Sequence, residues 1–166
     1  MMRYAKQRRA CLSVCGLGLL TLLGCATPRA KVTDTTSFWS GRLALQLQST
    51  PPQSWSASFE LQGSAEQGQM TLFSPIGTTL ARLSWTTQGA RLEQGQDKIE
   101  SSNLQSLSQR LTGTDLPIAA LFEWLDGKET DVTGWQVDLS ARTEGRLTAH
   151  RKAPAPETIL RILLDH

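Results

Sequence analysis

Chemistry at a reactive side chain would have to come from three cysteines and two histidines, so their surroundings are the first test of function. His150 stands beside Arg151 and Lys152 and reads as a solvated histidine, and His166 is the last residue. The chain holds no HExxH, no GxSxG, no P-loop and no Gly-rich dinucleotide turn. No His, Cys and Asp group has metal-ligand spacing, and the carboxylates are spread as on a solvated face. The expectation is a protein that is not an enzyme and holds no metal or nucleotide. What stands out is an apolar side chain in a polar place. Leu72-Phe73-Ser74-Pro75-Ile76-Gly77-Thr78-Thr79-Leu80 reads as a strand end, a turn and a strand start. Ser74, Pro75 and Gly77 occupy the positions that a type I turn favours. Ile76 then falls at the apex, where loops normally meet water. It either folds back onto the core or is held out to touch something apolar.

The three cysteines lie in the first 25 residues. Arg3, Lys6, Arg8 and Arg9 precede an apolar stretch of 13 residues, Cys11 to Leu23, too short to span a bilayer and suited to a signal h-region. The stretch ends in Leu22-Leu23-Gly24-Cys25, which resembles the lipobox of bacterial lipoproteins. That resemblance implies that residues 1–24 are removed and that Cys25 carries a covalent diacylglycerol and an N-acyl chain such as palmitate. The competing reading is a plain secretory signal with an incidental cysteine. Ala26, in a place where Asp would favour retention at the inner membrane, implies an outer-membrane lipoprotein facing the periplasm. With Cys11 and Cys15 lost and Cys25 consumed as a thioether, neither a disulfide nor a thiolate nucleophile is expected. The formal charge of +2 also changes, because loss of the four basic residues leaves 13 Lys+Arg against 15 Asp+Glu. No basic stripe remains to attract nucleic acid.

The elements that must position Ile76 are mostly strands. After a polar tether over 25–37, a single domain is expected over 38–166. Leu43, Leu45 and Leu47 alternate with polar residues, as do Trp55, Ala57, Phe59 and Leu61. Met70 and Leu72 lead into the turn, and Leu80 to Trp85 lead out of it. The period changes at Asn103, which caps a helix carrying Leu104, Leu107 and Leu111 and ended by Gly113. A second short helix, Ile118 to Leu125, is apolar nearly all round and must touch apolar matter on more than one side. Strands resume after Thr133 and end in Thr158 to Leu164, which has apolar residues on both faces and is expected to be covered twice. Nine to eleven short strands broken once by two helices predict a mainly β fold. The expected architecture is one strongly curved antiparallel sheet, an incomplete barrel, whose helices cover its concave side around an apolar cavity.

Cys25, Trp39-Ser40-Gly41-Arg42-Leu43, Leu72-Phe73-Ser74-Pro75-Ile76-Gly77, Asp115-Leu116-Pro117 and Trp124-Leu125-Asp126-Gly127, in this order, resemble the LolB family of outer-membrane lipoprotein receptors. The resemblance implies an incomplete barrel with helices over its open side, no catalysis and a monomer. It implies lipoprotein cargo received through its acyl chains from a LolA-like periplasmic carrier and inserted into the inner leaflet of the outer membrane. It assigns Cys25 to lipidation and Pro75, Ile76 and Gly77 to a membrane-insertion loop, with Ile76 where the family usually has Leu. The expected cavity lining is Leu45, Leu47, Trp55, Phe59, Leu61, Met70 and Leu72 from the sheet, with Leu121, Phe122 and Leu125 from the helical lid. Which strand face points inward is a choice of parity, since a slip of one residue exchanges the whole set. The alternative is a structural or adaptor lipoprotein of the same fold, with a solid interior and no part in lipid transfer.

Overall fold

A computed structural model describes residues 37–165; Cys25, the expected signal and the rest of the tether lie outside them. The chain runs β1 (Ser37–Leu47), β2 (Gln53–Gly63), β3 (Gly68–Phe73), β4 (Thr79–Thr86), β5 (Gly89–Gln94) and β6 (Asp97–Ser101). Two helices follow, α1 (Leu104–Thr112) and α2 (Ile118–Leu125). Then come β7 (Trp135–Asp138), a 3-10 turn (Arg142–Glu144), β8 (Arg146–Arg151) and β9 (Thr158–Leu164). The nine strands form one open sheet in the order β6-β5-β4-β3-β2-β1-β9-β8-β7, antiparallel throughout. β1 begins one residue inside the expected tether because Ser37 already pairs with Gly63.

Period-two sequences build this sheet with one greasy face. Leu43, Leu45 and Leu47 of β1, Ala57, Phe59 and Leu61 of β2, and Ala81, Leu83 and Trp85 of β4 are all buried, while Arg42, Glu60 and Arg82 point the other way. β9 departs from expectation. Leu160, Ile162 and Leu164 are buried, but Leu163 is exposed and Ile159 is only half-buried. Among the described residues nothing covers the outer face of the sheet there, so the strand is buried once.

The first and last strands meet inside the sheet, where β1 pairs with β9 from Gly41↔Leu164 to Leu47↔Thr158. Gly41 is required there. A Cβ at that position would lie 2.2 Å from the Leu163 carbonyl oxygen and 2.9 Å from the Leu164 Cα.

The strength of the curvature follows from α2. Phe122 packs edge-on against Trp39 of β1 at 5.4 Å and Trp85 of β4 at 6.1 Å. Two residues on, Trp124 meets Trp135 of β7 at 6.2 Å. β4 and β7 are six strands apart in the sheet order. In a flat sheet that separation is roughly 29 Å, far beyond the reach of two aromatic side chains on one helical turn. The sheet therefore wraps around α2, which explains why a helix so short is buried nearly all round.

α1 forms as its caps dictate. The Asn103 side-chain oxygen accepts hydrogen bonds from the backbone N–H groups of Gln105 (2.9 Å) and Ser106 (3.3 Å). Gly113 closes the helix at φ 78° with its N–H on the Gln109 carbonyl. Asn103→Ala removes the acceptor for both donors. It is expected to lower stability by about 1 kcal/mol, read as a shift in the midpoint of urea unfolding with unchanged slope.

Candidate functional site

The turn between β3 and β4 is tied on three sides. The Gly77 N–H donates to the Ser74 carbonyl at 2.9 Å, and the Ser74 N–H donates to the Thr78 carbonyl at 2.8 Å. The Thr78 N–H donates to Ser74 Oγ at 3.1 Å. Gly77 takes φ 82°, a left-handed conformation that a side chain would strain. Between these ties Pro75 and Ile76 project into solvent, and Ile76 is 89% exposed. The side chain does not fold back onto the core. Sequence reasoning missed its companion, Leu80, which is 47% exposed. The register slips between Leu72↔Ala81 and Phe73↔Thr79, leaving Leu80 as an extra residue below the tip. Its place was readable from parity, since Ala81, Leu83 and Trp85 take the inner face.

The ten expected lining residues come together on that inner face. Leu45, Leu47, Phe59, Leu61, Met70, Leu72, Leu121, Phe122 and Leu125 are buried in one apolar cluster, and Trp55 is half-buried against it. Among the described residues no hydrogen bond ties α2 to a strand; the helix meets the sheet by side-chain packing alone. Its C-terminal end is held differently. Arg142 Nε donates to the Leu125 carbonyl at 2.8 Å, placing a cation where the helix dipole is negative.

A groove of about 660 Å³ opens beside the helices, lined by none of those ten residues. Leu104, Leu116, Ile118, Val132 and Trp135 supply its apolar wall, Ser102, Asn103, Gln105 and Thr133 polar groups, and Arg151 and Asp115 opposite charges. Arg151 is only 5% exposed. Its Nη2 donates to the Pro156 carbonyl at 3.3 Å, its Nε has no acceptor, and its guanidinium carbon lies 5.7 Å over the Trp135 ring. Burial pushes the guanidinium below its ordinary pKa, and the nearby Asp115 carboxylate partly opposes this. Parity could have found it, because Leu147, Ala149 and Arg151 share the inward face of β8.

Among the described residues no His, Cys, Asp and Glu group could hold a metal ion, and no helix is long and apolar enough to cross a membrane. His150 lies on β8 opposite Gln136 and Ile159, and no reactive constellation surrounds it.

Residues 38–156 match the family model described as outer membrane lipoprotein LolB. Outer-membrane lipoprotein LolB of Vibrio cholerae serotype O1 is 32% identical over 132 residues, which is 72% of this chain and 64% of that relative. The protein of the same name from Shewanella sp. strain MR-4 is 31% identical over 137 residues, or 76% and 62% of the two chains. That of Ralstonia nicotianae is 31% identical over 141 residues, or 78% and 68%. The match thus spans a little under two-thirds of the first two relatives. The outer-membrane placement expected from Ala26 agrees with the names these relatives carry. An open antiparallel sheet wrapped on a greasy helix, with an aliphatic tip on a rigid turn, is the frame on which these matches fall, and the chain belongs to the outer membrane lipoprotein LolB family.

Proposed function

We propose that this protein takes lipoproteins from a LolA-like periplasmic carrier by their acyl chains and passes them to the inner leaflet of the outer membrane. It does so as a monomer anchored through lipidated Cys25, without catalysis or cofactor. The observation that carries the reading is Ile76, held fully in solvent by a hydrogen-bonded turn. An aliphatic side chain exposed on a rigid tip adds little to the core and is free to enter hydrocarbon, where its burial is favourable. The all-apolar contact between α2 and the sheet supports the acceptor half of the function. Acyl chains that part the helix from the sheet break no hydrogen bond between them, and they replace one set of apolar contacts by another.

Energetics set the direction of transfer. A triacylated cargo of roughly 45 methylenes gains on the order of 35 kcal/mol in a bilayer, at about 0.8 kcal/mol each. The receptor has only to hold those chains better than its carrier and less well than the membrane.

The close burial of nine of the ten expected lining residues favours the other reading, an adaptor whose interior never opens. The two separate on a binding measurement with the purified full chain and an acyl-chain fluorophore. Saturable fluorescence, displaced by an acylated lipoprotein and not by its unacylated form, is the expected result. Absence of any displaceable signal would leave the adaptor.

A further inference from the structure

We infer that Arg151 and the groove around it form a polar-head site, which takes the oxygen-bearing end of a fatty acyl group, as ester carbonyl or carboxylate. The inference rests on the acyl-acceptor reading and goes beyond it, because none of the ten residues expected to line the acyl cavity touches this groove.

Three features select the ligand chemistry. A guanidinium carries five N–H donors and no acceptor. Among the described residues only the Pro156 carbonyl accepts from Arg151, and Nε has no partner at all. A buried cation with donors to spare is costly unless an oxygen acceptor joins it. Next, the groove sets an apolar stretch, Leu104, Leu116, Ile118, Val132 and Trp135, beside a polar one of Ser102, Asn103, Gln105 and Thr133, which suits an acceptor carried on a greasy chain. A volume of about 660 Å³ lies within the range of pockets that enclose small ligands. Last, Asp115 also lines the groove and faces the guanidinium electrostatically. Its carboxylate, which accepts a hydrogen bond from Gln105 Nε2, disfavours a multiply charged anion. An acyl ester or a single carboxylate meets all three conditions. A bare hydrocarbon leaves the donors unpaired, and a cationic head meets the guanidinium directly.

The Arg151–Trp135 stack makes the site rigid before a ligand comes. It would thus set the depth at which a chain is held, head at the groove and tail toward the helices.

The experiment competes dodecanoate, methyl dodecanoate and dodecyltrimethylammonium, each below its micelle concentration, against the acyl-chain fluorophore on the full chain. The ester and the carboxylate are expected to bind at least tenfold more tightly than the cation. Arg151→Met, which keeps the volume and removes the donors, is expected to bring all three within about twofold. An ester at least as tight as the carboxylate assigns the site to esterified acyl groups, and a tighter carboxylate assigns it to free fatty acid. A second reading needs no variant: the Arg151 Nε–Hε resonance of the wild-type protein should shift on titration with the preferred probe. Equal binding of all three heads by the wild type, discrimination surviving in Arg151→Met, or an unmoved resonance would overturn the inference and leave the acceptor function standing. Failure of every probe to bind would remove the acceptor function itself.

Discussion

Ile76→Glu is expected to leave the protein folded and able to bind acyl chains while delivery to vesicles falls at least thirtyfold. Ile76 is 89% exposed and contributes almost nothing to the core, so the substitution should change stability by no more than about 0.5 kcal/mol. In contact with a bilayer the balance differs. An aliphatic side chain taken from water into hydrocarbon gains roughly 2 kcal/mol, or about thirtyfold in a partition constant. A carboxylate in its place forfeits that gain and adds a desolvation penalty of its own. The measurement is transfer of an acylated lipoprotein to phospholipid vesicles, run beside a thermal melt and the fluorophore assay. Unimpaired delivery would remove the tip from the mechanism. A melting point lower by several degrees would mean that Ile76 packs against protein after all.

Gly41→Ala is expected to have the largest effect on stability of any single methyl group added along the seam between β1 and β9. The new Cβ would stand 2.2 Å from the Leu163 carbonyl oxygen, and the obstacle is backbone, which cannot rotate away. β1 and β9 must separate locally or slide, at a cost of about 3 kcal/mol. For a domain of this size that lowers the melting temperature by roughly 10 °C. The seam joins the strands before the helices to those after them, so the loss should appear as one cooperative transition moved downward. A melting point within a degree of wild type would show that the sheet yields there at no cost.

Gly41 also shows what a sequence can and cannot reveal. It stands in the run Trp39-Ser40-Gly41-Arg42-Leu43, which marks the family, yet only the approach of β9 explains why no larger residue fits. Local rules carried a great deal elsewhere. Alternation placed Leu45, Phe59, Leu61, Met70 and Leu72 on the inner face, since a period of two leaves only two choices and one of them buries the glutamines. Asn103 and Gly113 bounded α1 because both caps are satisfied within four residues. The turn at Ser74 to Gly77 was equally local, but the direction of Ile76 was not. Turn residues set backbone angles and say nothing of whether a neighbouring core is within reach. Long-range juxtapositions were least legible. Trp39, Trp85 and Trp135 gather on α2 only because the sheet curls. Arg151 drew no attention despite its inward parity, because charge normally outranks alternation, and here Trp135 and the Pro156 carbonyl receive it.

The direction of β1 bears on how such a receptor would stand on its membrane. Ser37 pairs with Gly63, which pairs in turn with Gly68 at the start of β3, whereas Ile76 follows the far end of β3. The chain therefore joins the sheet at one pole and offers its aliphatic tip at the other, about 25 Å away along the strand and turn. A bilayer that received the tip would face the pole away from Ser37, with the strands set end-on to its surface.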